Sequence, residues 1–355
     1  MSERLSKLQS YLVANGLDAI IVLKPENRMY FSGFTGSSGM LIISQFDAKL
    51  VTDFRYIEQA GRQAKKFEII RHGNNILETI AKEISSSGFN KVGFEGDFVT
   101  FAIYDSLHTL LGQVELKSIQ LDSLRMIKDD EEIKLIKKAV EIADMAFSHI
   151  LTFLRPGISE ISVAAELEYF MRKQGAEKPA FDTIVASGVR GSLPHGIASE
   201  KIIESGDLIT MDFGAVYKGY HSDITRTVCI GRANDKQREI YDVVLSAQLA
   251  AVKAVQAGKL CKEIDGIARG IIDNAGYRDY FGHGLGHGLG LAIHEAPRLS
   301  PSNLSGVLEK NMLVTVEPGI YLPDWGGIRI EDTVVVTATG CDILTTSSKV
   351  LIEID

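Results

Sequence analysis

The stretch MDFGAVYKGYHSDITRT, residues 211–227, sets two aspartates beside apolar strand-like runs. Asp212 directly follows the run LITM (208–211). Asp223 comes eleven positions later, immediately before ITRTVCI (224–230). Between them VYKGYH carries Gly219, which suits a tight turn. Two antiparallel strands joined there would bring both aspartates to one concave face. An aspartate inside an apolar strand is costly to bury unless it is paired or metal-bound. Taken singly, each also reads as a turn or salt-bridge residue.

Downstream, FGHGLGHGLGLAIHEAPR (281–298) alternates glycines with His283, His287 and His294, three of the chain's eight histidines. Glycines remove side-chain bulk and admit close approach by other groups. The stretch is not a dinucleotide-binding G-x-G-x-x-G, because His287 stands where the third glycine is required. It is not a P-loop, since no Gly-Lys-Ser/Thr follows. H-E-x-x-H is absent as well, because His294-Glu295 meets no second histidine. Glu317 in VTVEPG and Glu331 in IRIED each end an alternating apolar pattern. In isolation both read as ordinary strand-end glutamates.

The 355 residues exceed the usual size of one hydrophobic core, which predicts two domains. The first, 1–122, alternates helices and strands and reads as α/β. A helix over 3–15 precedes the strand AIIVL (19–23). Strands follow at 40–44 and 48–53, then a helix over 55–65, a strand at 67–71, and a last helix–strand pair at 75–86 and 91–95. The second domain, 125–355, opens on an acid-then-lysine helix whose charge order suits the helix dipole. A helix capped by Ser159 follows. Strands are predicted at 183–187, 207–217, 222–230, 312–319, 326–337 and 349–354, with helices at 235–257 and 261–275. A net charge of −8 argues against a nucleic-acid binder. Cys229, Cys261 and Cys341 are odd in number and far apart, which fits a reducing compartment. With no signal-peptide core and no membrane-length apolar run, the cytoplasm is the expected location.

MDFGAVYKGYHSDITRT, GHGLGHGLGLAIHE (282–295), VTVEPGIY (314–321) and GGIRIEDT (326–333) together resemble the pita-bread metallopeptidases, among them methionine aminopeptidase, aminopeptidase P and prolidase. YFSGFTGSSG (30–39) and VTDFRYIEQA (51–60) look like the leading domain of aminopeptidase P and bacterial prolidases. By itself the first of these reads only as a glycine-rich turn between strands. The resemblance implies an α/β N-terminal creatinase/prolidase-like domain plus an α+β C-terminal pita-bread (creatinase/aminopeptidase) domain. It also implies Asp212, Asp223, His287, Glu317 and Glu331 as ligands to two divalent metal ions. Creatinases share the fold but lack this metal set. Four carboxylates carry −4 and two divalent ions supply +4, so near-neutrality needs both. An oxygen-rich set favours Mn²⁺, with Co²⁺ or Zn²⁺ as alternatives.

The implied activity is a dinuclear exopeptidase that cleaves the Xaa-Pro bond of short proline-containing peptides through a metal-bridged hydroxide. It is either an Xaa-Pro dipeptidase or an Xaa-Pro aminopeptidase. By the same resemblance His195, His283 and His294 are the histidines of the site that do not bind metal. His294 is the candidate oxyanion or substrate-carbonyl donor, and His283 the candidate contact to the substrate backbone. Glu317 relays a proton, and Arg329 orients ligand carboxylates. Arg298 lies near the place where prolidases hold a carboxylate-binding arginine. The alternatives are a methionine aminopeptidase-like peptidase and a pita-bread binding protein that has lost catalysis. The family often forms homodimers, so a homodimer is expected; no nucleic-acid or membrane partner is.

Overall fold

The helix–strand alternation at the start of the chain becomes one six-stranded sheet in the computed structural model, which describes residues 2–355. The first compact unit ends at Arg125. It runs α1 (Ser2–Ala14), β1 (Ala19–Val22), α2 (Pro25–Ser32), β2 (Met40–Ser44), β3 (Ala48–Thr52) and α3 (Ile57–Gln63). Then come β4 (Glu68–Arg71), α4 (Ile76–Ser86), β5 (Lys91–Glu95), α5 (Phe101–Leu111) and β6 (Glu115–Ile119). The strand order is β4-β3-β2-β1-β5-β6. Every residue of β1 is buried, which is why its sequence is an unbroken apolar run rather than an alternation.

The segment 30–39 departs from its reading as a turn between strands. The helix α2 fills the first part of it. Pro25 sits at the helix start, where no N–H is needed, and Gly33 closes the end at φ 74° with its N–H on Met29 O. Buried Arg28 then donates to Gly36 O at 2.6 Å and Gly39 O at 2.8 Å, which folds the glycine segment back on the helix.

The second unit begins at Met126. It contains α6 (Asp130–Ile150), α7 (Glu160–Lys173), β7 (Lys178–Pro179), β8 (Ile184–Ser187), β9 (Leu208–Phe213), β10 (Ala215–Tyr217), β11 (Tyr220–His221) and β12 (Ile224–Ile230). The helices α8 (Asp235–Ala254) and α9 (Cys261–Asn274) follow, then β13 (Gly286–Gly288) and β14 (Glu295–Leu299). The chain ends in β15 (Leu313–Val316), β16 (Gly319–Leu322), β17 (Gly326–Arg329), β18 (Asp332–Val336), β19 (Cys341–Ile343) and β20 (Glu353–Ile354). The main sheets have orders β20-β12-β9-β8 and β14-β13-β15-β18-β19. The pair α6 and α7 packs Phe147, Val163 and Leu167 on Ile209, Met211 and Ile224. The pair α8 and α9 packs Ile240, Val244 and Ile264 on Val314, Val316 and Val334. Asp129 and Glu132 form a capping box that starts α6, and Ser159 caps α7.

Four expected strands are broken; 312–319 divides because β15 ends at Val316 and β16 begins at Gly319. The run 207–217 stops at Gly214, where a Cβ would lie 1.9 Å from Ser222 O. After it, β10 and β11 form a hairpin that turns at Lys218 (φ 48°) and Gly219 (φ 80°) and leads back into β12. The run 326–337 splits because β17 pairs with β16 while β18 pairs with β15, leaving Ile330 and Glu331 between two sheets. Of 349–354 only β20 pairs, against Cys229 and Ile230. Conversely, the glycine–histidine stretch holds β13 and β14. Among the described residues, no helix is long and apolar enough to cross a membrane.

A buried polar network ties the end of the chain to the strands. Asp332 accepts from Arg226 Nη2 at 2.9 Å, Gln248 Nε2 at 2.8 Å and Thr345 Oγ1 at 2.7 Å, and pairs with Lys349. Arg226 and Asp332 are each about 1% exposed, so losing Asp332 leaves the Arg226 guanidinium buried without its carboxylate. Asp332→Ala is expected to cost this unit about 3–5 kcal/mol, read as a lower urea midpoint.

Candidate metal centre

Residues on or beside five strands converge on one acidic cluster. Asp212 lies on β9 opposite Thr225 of β12, and Asp223 immediately precedes β12. Glu331 falls between β17 and β18, Glu317 follows β15, and His287 is the middle of β13. Asp212, Asp223 and Glu331 each offer an oxygen, and these atoms lie within 4.8 Å of one another. His287 Nε2 is 3.5 Å from Asp223 Oδ2 and 3.3 Å from Glu317 Oε1. Its Nδ1 is 3.0 Å from Gly288 O, which can only accept. In the neutral ring Nδ1 therefore carries the proton and the Nε2 lone pair faces the carboxylates.

Side-chain donors fix three of the four acids. Thr225 Oγ1 donates to Glu331 Oε2 at 2.8 Å, and Thr315 Oγ1 donates to Glu317 Oε1 at 3.0 Å. Buried Arg329 donates from Nη2 to Asp212 Oδ2 at 2.6 Å and from Nε to Thr225 Oγ1 at 3.1 Å. Its Nη1 reaches Tyr321 OH at 2.8 Å and Pro194 O at 3.2 Å. The Tyr321 hydroxyl accepts from the guanidinium and so donates to His283 Nε2 at 2.9 Å, while His283 Nδ1 meets Gly284 O at 2.8 Å. Both His283 ring nitrogens are thereby engaged by the protein.

Burial and then mutual repulsion push Asp223 and Glu331 well above the ordinary carboxylate range. Burial also raises Asp212, against the opposing pull of Arg329. Burial pushes Glu317 up too, but with His287 protonated its bond and charge, then the His283 and Arg329 charges, outweigh burial and hold Glu317 at about 2. Burial lowers His283. Burial, then the nearby His287 and Arg298, bring His294 to about 4. Burial moves the Tyr321 phenol up to about 12.

The cluster fits divalent cations on its own chemistry. Asp212 Oδ1 and Glu331 Oε1 are buried without a hydrogen-bond partner among the described residues. Orphaned carboxylate oxygens beside an imidazole lone pair are a hard, oxygen-rich donor set. The cluster opens into a cavity of about 650 Å³. Of the ten residues singled out in the sequence, nine line it: His195, Asp212, Asp223, His283, His287, His294, Arg298, Glu317 and Arg329. The tenth, Glu331, is 1% exposed and touches the group through Thr225.

Sequence reasoning missed Thr225, Thr315 and Tyr321, all inside motifs already quoted. For the two threonines the signal was the two-residue strand period. Asp223 with Thr225, Thr315 with Glu317, and Arg329 with Glu331 are i, i+2 pairs that share a face. Phe181 and Ile293 also line the cavity and carried no such signal.

An α/β unit followed by an α+β unit whose strand ends gather four acids and a histidine defines a pita-bread metallohydrolase. The chain belongs to the metallopeptidase family M24, whose model matches residues 134–338, and its residues 4–127 match the creatinase/prolidase N-terminal domain. Members of the family use two divalent metal ions. The chain is 43% identical to an Xaa-Pro dipeptidase of Pyrococcus furiosus, over 99% of this chain and 100% of the relative. It superposes on an Xaa-Pro dipeptidase from Bacillus anthracis with TM-score 0.97 and 49% identity, covering 99% of both chains. An X-Pro aminopeptidase from Thermotoga maritima gives TM-score 0.90 at 41% identity, over 95% of this chain and 98% of the other.

Asp223 and Glu331 titrate above their ordinary values of 3.8 and 4.5. The metal-free folded protein then holds protons that the unfolded chain releases, and it loses stability as pH rises through that window. Glu317 works the other way, but only as pH falls from 4.5 towards about 2. Asp223→Asn is therefore expected to raise the melting temperature of the metal-free protein at pH 8, by about 2–4 °C per kcal/mol gained. Calorimetry after chelation reads the shift, and a lower melting temperature contradicts the repulsion.

Proposed function

We propose that the chain is an Xaa-Pro dipeptidase working with two divalent ions held by Asp212, Asp223, His287, Glu317 and Glu331. The observation that carries this reading is the meeting of three acids within 4.8 Å with orphaned oxygens on Asp212 and Glu331. Mn²⁺ is the proposed metal because the donors are mostly oxygen. When bound, such ions polarise a peptide carbonyl and lower the pKa of a shared water.

The chain's own groups supply the rest. Thr315 and His287 both lie against Glu317 Oε1, which leaves Oε2 to take a proton from the attacking water and return it to the leaving nitrogen. His294, neutral with a pKa of about 4, keeps one ring N–H to donate to the substrate carbonyl oxygen. His195, which lines the same cavity, is the second such donor. Arg329 and Tyr321 keep Asp212 and His283 in place. A proline nitrogen has no N–H, so the site must hold the peptide by its termini and ring.

Arg298 favours the dipeptidase over the aminopeptidase. It is exposed on β14, lines the cavity and pairs across the ladder with His287. A guanidinium there suits the free carboxylate that follows proline in a dipeptide. Methionine aminopeptidase-like activity is disfavoured by the creatinase/prolidase N-terminal domain, and an inactive binding protein by the complete donor set. The proposed compartment is the cytoplasm, supported by three free cysteines. The proposed assembly is a homodimer, supported by the family resemblance.

Chelation is expected to abolish hydrolysis of Ala-Pro, and added Mn²⁺ to restore it; activity that survives full chelation removes the metal from the reaction. Arg298→Ala is expected to lower kcat/KM for Ala-Pro by about 10–100-fold, the scale of a charge-assisted hydrogen bond. Ala-Pro-Ala is expected to lose much less. Equal losses on both substrates take the carboxylate role from Arg298.

A further inference from the structure

The loop that carries His195 closes on a single buried carboxylate. Glu160, in the first turn of α7, is completely buried. Its Oε1 accepts from Ser187 N at 2.7 Å and from Ser187 Oγ at 2.8 Å. Its Oε2 accepts from Ser199 N at 3.1 Å and from Ser199 Oγ at 2.7 Å. Ser187 and Ser199 are the two ends of the excursion 188–198, so one side chain grips both feet of an Ω-shaped loop. Arg190 braces it from inside, donating from Nη1 to Glu160 and from Nη2 to Ile197 O at 2.8 Å.

The far side of the loop reaches the metal centre. Gly191 lies against β17, where a Cβ would sit 2.8 Å from Gly327 N. Pro194 O accepts from Arg329 Nη1 at 3.2 Å, and His195 and Ile197 line the cavity. The His195 ring has no hydrogen-bond partner among the described residues. Its place is therefore set by the backbone that Glu160 and Arg190 hold.

We propose that Glu160 is a positioning residue for the reaction, fixing loop 188–198 and through it the His195 ring over the cavity. This rests on the reading above that His195 touches the substrate. A carboxylate kept only for stability would act on the whole fold and would be indifferent to His195. A positioning carboxylate acts through His195 and loses its effect when that ring is gone.

The test is a double-mutant cycle on the Mn²⁺-loaded enzyme with Ala-Pro. Glu160→Gln keeps the shape but replaces one accepting oxygen with a donor. It is expected to lower kcat about 10–100-fold, the scale of a small misplacement of a reacting group. In the His195→Ala background the same change is expected to cost less than about twofold. Amide hydrogen exchange of the metal-free protein is expected to speed up across 188–198 and to stay unchanged in β9. The same fold loss in both backgrounds, or unchanged exchange in the loop, overturns the proposal. Should Glu160→Gln fail to fold, Ser199→Ala frees only one foot of the loop and enters the same cycle with the same criteria. A His195→Ala enzyme as fast as its parent overturns the role of His195, and this inference with it, without any change at Glu160.

Discussion

Mutual repulsion among buried carboxylates is the constraint around which the second unit is built. Asp212, Asp223 and Glu331 would move apart or take up protons if left to themselves. Asp212 and Glu331 are each steadied by a donor of fixed geometry. Arg329 holds Asp212, and Thr225 holds Glu331 while accepting from Arg329. Thr315 does for Glu317 what Thr225 does for Glu331, and it also accepts the His287 backbone N–H. One residue further along, Arg226 clamps the backbone oxygens of Thr225 and Glu331 and pairs with Asp332. Positive charge thus stands in two layers around an acidic centre.

The histidines divide by how their ring nitrogens are employed. His287 is fixed by Gly288 O with a lone pair left for the acids. His283 has both nitrogens engaged by Gly284 O and Tyr321. His195 and His294 stand exposed on loops. On the proposed reading the metal-binding groups sit on or beside paired strands and the substrate-facing groups on loops. That division gives rigidity where charge must be concentrated and adaptability where a peptide must enter.

Much of this was legible in the sequence because strand periodicity and motif order are local. The unbroken run of β1, the capping box of α6 and the Ser159 cap announced their elements directly. Nine of the ten residues singled out line one cavity, and the tenth touches it through Thr225. What the sequence hid is long-range. Nothing near Pro25 says that Arg28 will fold the glycine segment 33–39 onto α2. Nothing in the 326–337 run says that its halves pair with different partners. Nothing around Glu160 says that residues 27 and 39 positions away will share its carboxylate.

The glycine–histidine stretch shows why such partners matter. Read alone it is a flexible loop, yet its middle is a strand hydrogen-bonded on both sides. A Cβ at Gly286 would fall 2.0 Å from Thr315 O, and one at Gly288 would fall 2.3 Å from Ala296 O. No side chain fits in either place, so the alternation is set by the neighbouring backbones rather than by any need for flexibility. The close approach puts Thr315 Oγ1 within 3.0 Å of the His287 N–H, and the same hydroxyl then reaches Glu317. The missing side chains of β13 are therefore what bring an imidazole from one strand and a carboxylate from the next to 3.3 Å. The glycines and the acids are one design, since the cluster needs both.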